Sequence, residues 1–151
     1  MRHFLPLFLL FIQIGLSQKI LIPMDQSQKD HLKAYGAAFW ILGENINVEW
    51  ILNYRGGSFM TDSYPDIEQE CLVRGISYEI IGAEQILAIY NEVEVNNMDI
   101  SLLEKAPKIA IYSPPNKQPW DDAVTLALTY AEIPYETIWD EEIFNGTLGQ
   151  Y

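Results

Sequence analysis

The feature that most constrains the fold is an alternation of short apolar runs with amphipathic segments along most of the chain. Runs rich in β-branched and aromatic residues predict strands at 19–24, 48–54, 77–81, 108–112 and 135–139. Between them, apolar residues at helical spacing predict helices at 28–44, 66–74, 82–95, 98–104 and 120–132. Because each strand is followed by a helix, neighbouring strands should run parallel through right-handed crossovers. The pattern predicts an α/β fold with a doubly wound parallel sheet, flavodoxin-like or Rossmann-like, and helices on both faces.

The charge balance excludes a role in binding nucleic acid. The chain has 151 residues with 9 Lys and Arg against 21 Asp and Glu, which gives a net charge of -12. A protein that neutralises phosphates needs clustered cations, and no basic stripe exists here. With 49% hydrophobic residues, the chain should still fold around a core.

The N-terminal residues 1–17 have the pattern of a secretory signal peptide. Arg2 and His3 precede an apolar run at 4–16, and Ser17 suits a cleavage site. The run is shorter than the roughly 20 residues that span a bilayer, so we expect no transmembrane anchor. The alternative is an uncleaved anchor or a buried N-terminal helix. We expect a periplasmic or extracellular product in which residues 18–151 form a single α/β domain.

The predicted sheet places several loops together. Because parallel strands present their carboxyl ends at the same sheet edge, the loops after the first, second and fourth strands should form one cleft for a small-molecule or envelope ligand. The candidate cleft residues are Asp25, Arg55, Gly56, Gly57, Ser58, Asn116, Lys117, Asp121 and Asp122.

Two of these loops have alternative interpretations. Gly56 and Gly57 can cradle a phosphate with Arg55 as the anion contact, or can simply form a tight turn. Asp121 and Asp122 can bind a metal or act as acid and base, or can complement a helix dipole.

Other catalytic chemistry has little support in the residues. The two histidines are His3 and His31, so the mature chain cannot assemble a His-based zinc site or a Ser-His-Asp triad. Cys71 lies within a predicted helix, where a buried structural thiol is expected. We therefore expect no metal and no cofactor.

Four segments carry a family resemblance: KILIPMDQSQKDHLKAYGAAFW, VEWILNYRGGSFM, EKAPKIAIYSPPNKQPWDDAVTLALTYAEIPY and the terminal YETIWDEEIFNGTLGQY. They resemble the start of a family of exported proteins from certain Gram-negative bacteria that commonly carry the label asparagine synthetase B. The resemblance implies that this chain is the N-terminal part of a longer protein. It also implies a class I glutamine amidotransferase-like fold in the later part, where any nucleophile would lie.

Two functions follow as expectations. One is an amidotransferase-like hydrolase of an amide or ester, with its nucleophile outside this chain. The other is a non-catalytic envelope domain that binds or scaffolds. ATP-dependent asparagine synthesis is not expected, because position 2 is Arg where those enzymes carry Cys, and residues 55–63 depart from their S-G-G-x-D-S loop.

Overall fold

The computed structural model describes residues 18–116 and 122–151, so the predicted signal peptide lies outside the described residues. The elements are β1 (Lys19–Ile22), α1 (His31–Gly43), β2 (Val48–Ile51), β3 (Ser58–Asp62), α2 (Pro65–Arg74), β4 (Glu79–Ile81), α3 (Ala83–Val95), β5 (Ile100–Leu103), β6 (Ala110–Tyr112), α4 (Ala123–Ala131), β7 (Glu136–Ile138), α5 (Asp140–Phe144) and a 3₁₀ turn (Thr147–Gln150). We call β1–β5 with α1–α3 the first lobe, and the remaining elements the second lobe.

The first lobe is built on an antiparallel sheet. Its five strands lie in the order β4-β1-β3-β2-β5, and each neighbouring pair is antiparallel. From β1 to β4 the chain follows the β-α-β-β-α-β order of the ferredoxin-like motif. The prediction of a doubly wound parallel sheet is therefore wrong, although the chain is a small α/β protein.

Two misread segments account for this error. Residues 58–62 were expected to belong to a glycine-rich loop, but they form β3, which returns from β2 as a hairpin and lies between β1 and β2. Residues 98–104 were expected to be helical, but they contain β5, which pairs with β2 from Val48 opposite Leu103 to Ile51 opposite Ile100. Because β3 lies between β1 and β2 and is antiparallel to both, β1 and β2 run in the same direction without being neighbours.

Helices cover both faces of this sheet. Ile20 and Ile22 of β1 join the core beneath α1 and α2, whereas Leu21 joins a second core that includes Ile86 and Ile89 of α3. Successive strand residues point to opposite faces, so a strand between two helical layers must be apolar throughout. The consecutive apolar residues of β1 are explained by its position between two helical layers.

Local signals set the helix ends. Asp30 caps α1 by accepting a hydrogen bond from the amide of Lys33 at 3.0 Å. Pro65 begins α2, and Gly75 ends it with a φ of 71°.

The second lobe contains the parallel pairing. Strands β6 and β7 form a separate two-stranded parallel sheet, and α4 connects them. Its α4 packs on α1, where the carbonyl of Ala131 accepts from Arg74 Nη1 at 3.1 Å and Tyr130 donates to Asp30. Val124 of α4 is 56% exposed, because a different face of α4 meets α1.

Candidate functional site

Arg55 organises a polar cluster at one edge of the first sheet. Its Nε donates to Asp25 at 2.7 Å, its Nη1 to Glu79 at 2.8 Å and its Nη2 to the hydroxyl of Ser27 at 3.1 Å. These contacts tie the end of β1 to the β2–β3 turn and the start of β4. Asp25 and Arg55 meet as expected, because β1 and β2 run in the same direction.

The positive charge of Arg55 is neutralised by the carboxylates of Asp25 and Glu79. Hydrogen bonds from Ser27, followed by the one from Arg55, hold the pKa of Asp25 well below its usual range. The hydrogen bond to Asp25 raises the pKa of Arg55 in turn. With two carboxylates on its guanidinium, Arg55 offers little positive potential to a further anion.

The glycine pair forms a tight turn. A side chain at Gly56, where φ is 83°, would place its Cβ 2.3 Å from the carbonyl oxygen of Met24. The amides of Gly57 and Ser58 both donate to the carbonyl of Tyr54 at 3.0 Å. These amides are therefore engaged within the turn, which fits the tight-turn alternative to a phosphate cradle.

The remaining predicted cleft residues belong to the second lobe or lie outside the described part of the chain. Asp122 accepts from the amide of Val124 at 2.8 Å and caps α4. Asn116 is exposed, and no hydrogen bond or ion pair in the described ranges joins it or Asp122 to the Arg55 cluster. Lys117 and Asp121 lie outside the described residues.

The candidate nucleophiles and base His31, Ser58 and Cys71 are engaged or buried. The Nε2 of His31 lies 3.1 Å from the carbonyl oxygens of Met24 and of Asp25. Ser58 is buried and donates to Tyr54, while burial raises the pKa of the Cys71 thiol to about 12. Among residues 18–116 and 122–151, no three His, Cys, Asp or Glu side chains gather in a way that would hold a metal ion.

The second lobe presents aromatic and acidic groups at the carboxyl ends of its strands. The rings of Tyr112 and Trp139 stack with centroids 4.6 Å apart, and Tyr112 donates to Asp140 at 2.5 Å. Tyr112 is nevertheless half exposed. This end of the small sheet therefore combines accessible aromatic surface with a carboxylate.

The second lobe also lacks a core of its own. Among the described residues, the buried apolar side chains of this lobe are Ala131 and Ile138, whereas the first lobe contains both core clusters. Parallel sheets in proteins are normally covered on both faces and rarely consist of two strands. The pair β6–β7 therefore resembles part of a larger parallel sheet.

Sequence reasoning missed three parts of these sites. Ser27 joins the Arg55 cluster from the loop that carries Asp25, and Glu79 joins it because β4 pairs with β1, which no local pattern indicates. The open edge of β6 was also missed, because the five predicted strands were assigned to a single sheet. An apolar pattern shows that a strand is buried but not which strand it pairs with.

In the part of the chain that the structure describes, no helix has the length and apolar character needed to cross a membrane. Comparison with protein-family models, with curated proteins and with solved structures found no match for this chain.

Proposed function

We propose that this chain is an exported, non-catalytic module that docks another polypeptide on its second lobe. Export rests on the sequence of residues 1–17 alone. The docking role rests on one observation: among the described residues, the parallel pair β6–β7 has an unpaired strand edge and almost no buried core.

Physical chemistry favours docking over catalysis. A short parallel sheet gains stability when a further strand satisfies its edge and a further layer covers its face. Exposed apolar side chains surround this sheet: Tyr112 and Val124 are at least half exposed, and Phe144 is 86% exposed. Ser58, Cys71 and His31 are buried or already bonded, so the described residues add no support to the hydrolase alternative, whose nucleophile is expected outside this chain.

Site-specific photo-crosslinking in cells that export the protein tests this function. A photoreactive phenylalanine analogue replaces Phe144 in the second lobe or, as the matched control, Leu87, which is 68% exposed on α3. We expect discrete adducts of defined mass from position 144 and none from position 87. Equal labelling from both positions, or no adduct from position 144, would contradict a docking role for the second lobe.

A further inference from the structure

In the described part of the chain, strand β6 pairs through one of its two edges. The carbonyl of Ile109 accepts from the amide of Glu136 at 2.9 Å, and the amide of Ser113 donates to the carbonyl of Ile138 at 2.9 Å. Because backbone groups alternate in direction along a strand, those of Ala110 and Tyr112 point away from β7. No backbone partner for them occurs in the described ranges 18–116 and 122–151.

The sequence of β6 is typical of an internal strand. Ile109, Ala110 and Ile111 are consecutive and apolar, which is the pattern of a parallel strand with neighbours on both sides and cover on both faces. In the structure Ala110 and Ile111 are only partly buried. The free edge therefore fits an extended strand, since only an extended strand presents backbone groups at the matching spacing.

Prolines limit where such a strand can pair. Pro107 and Pro114 have no amide hydrogen and lie just before and shortly after the strand. The residues usable for pairing at this edge are 108–112. Their centre is Ala110, so two copies of this segment can pair antiparallel about a two-fold axis at Ala110 with all four prolines outside the ladder.

Charges at the two ends of β6 favour this arrangement. In the antiparallel register centred on Ala110, Lys108 of each copy lies opposite Tyr112 of the other copy, on the same face of the sheet. Tyr112 donates to Asp140, which is followed directly by Glu141 and Glu142. Lys108 Nζ lies 5.8 Å from the centroid of its own chain's Tyr151 ring, so in the pair each lysine would exchange this contact for an aromatic ring backed by carboxylates, and symmetry supplies that contact twice.

We propose that a second copy of this chain is the polypeptide that docks on the second lobe. Two copies pair through the free edges of β6 and form a continuous four-stranded sheet in the order β7-β6-β6-β7. This inference rests on the proposed docking function and names its partner. The net charge of -12 on each copy opposes association, so the pairing depends on the local contacts at β6 and has modest affinity.

Analytical ultracentrifugation of the full chain over a range of concentrations tests the pairing. We expect a reversible monomer–dimer equilibrium. Ala110→Pro removes an amide that points away from β7 and should raise the dimer dissociation constant at least about tenfold, because two symmetry-related hydrogen bonds are lost. Thr137→Pro is the matched control: it removes an outward amide from the opposite edge of the same sheet and should leave the constant unchanged.

A charge exchange tests the register independently of proline. Lys108→Glu alone and Asp140→Lys alone should each weaken the dimer, because each places like charges together across the two-fold axis. The double variant Lys108→Glu with Asp140→Lys should restore it. Lys29→Glu, at an exposed position of the first lobe, controls for the change in net charge and should leave the dimer intact.

The outcomes separate this inference from the function on which it rests. A chain that stays monomeric at every concentration, or a dimer that Ala110→Pro does not weaken, overturns pairing through β6. If the photoreactive analogue at position 144 still gives adducts with another protein, the docking function survives with a different partner. If it gives no adduct and the chain stays monomeric, both proposals fail.

Discussion

The contact between α1 and α4 joins the two lobes and depends on the absence of a side chain at Gly36. A Cβ at this position would lie 1.8 Å from the carbonyl oxygen of Ala131 and 2.9 Å from its carbonyl carbon. The same oxygen accepts the hydrogen bond from Arg74. It belongs to the backbone at the end of α4, so Gly36→Ala can be accommodated only if α4 moves away by more than about 1 Å.

Two destabilising effects and one stabilising effect determine how Gly36→Ala changes the free energy of unfolding. Overpacking of a close contact costs about 1–3 kcal/mol. Losing the hydrogen bond from the Arg74 guanidinium to Ala131 costs about 1.5–3 kcal/mol. The higher helix propensity of alanine returns about 1 kcal/mol. We therefore expect Gly36→Ala to lower the free energy of unfolding by about 2–4 kcal/mol.

Gly43→Ala is the matched control in the same helix. No atom lies within 4 Å of a Cβ built at Gly43, so alanine there should stabilise the protein by roughly 0.5 kcal/mol. Urea unfolding followed by tryptophan fluorescence measures both variants. Hydrogen exchange should show lost protection in α4, β6 and β7 of Gly36→Ala while the first sheet stays protected. A Gly36→Ala protein as stable as the parent would refute the close approach of these helices.

Three further substitutions and one chemical probe test the remaining assignments. Arg55→Ala should lower the free energy of unfolding by about 1–2 kcal/mol in urea titrations, because it leaves the partly exposed Asp25 and Glu79 carboxylates unpaired; an unchanged value would contradict the bridging role. The pKa of Asp25 in the folded protein is held below its ordinary value near 3.9, so the ionised carboxylate stabilises the fold above about pH 4 and this contribution is lost as the pH falls lower. Asp25→Asn should therefore lose less stability than the parent protein when the pH is lowered below about 4. A thiol reagent at pH 8 should modify Cys71 only as fast as the protein opens, since the pKa of the thiol is raised to about 12, and rapid labelling of the native protein would contradict its burial. Val124→Asp should change stability by less than about 0.5 kcal/mol, because that side chain is exposed.

Much of the secondary structure could be predicted because it depends on local patterns. The helices at 66–74 and 82–95 match α2 and α3 within one residue at either end. Apolar spacing, Pro65 and Gly75 carry the information for their boundaries. The sheet order could not be predicted in this way, because the pairing of β3 and β5 depends on residues distant in sequence.

The candidate site shows the same division between local and distant information. The loops with Asp25 and Arg55 were expected at one sheet edge, and the two side chains bond there because β1 and β2 run in the same direction, while their role in a ligand cleft stays a prediction. Their expected neighbours Asn116 and Asp122 were assigned to that edge on the assumption of a single sheet. The structure has two sheets, so these residues lie in the second lobe and Glu79 takes a place beside Arg55 that no pattern indicated.

The comparison of β6 with β1 shows what a strand pattern can reveal beyond the fold. Both have consecutive apolar residues, and in β1 the pattern is satisfied, because β3 and β4 pair with its two edges and helices cover its two faces. In β6 the strand residues are more apolar than their burial among the described residues explains, since within 18–116 and 122–151 only β7 pairs with it. Sequence patterns and structure normally agree at every level in a protein that needs nothing else to complete its core. A strand that is apolar like an internal strand but exposed like an edge strand therefore indicates a neighbour beyond the described residues, which we propose to be β6 of a second copy.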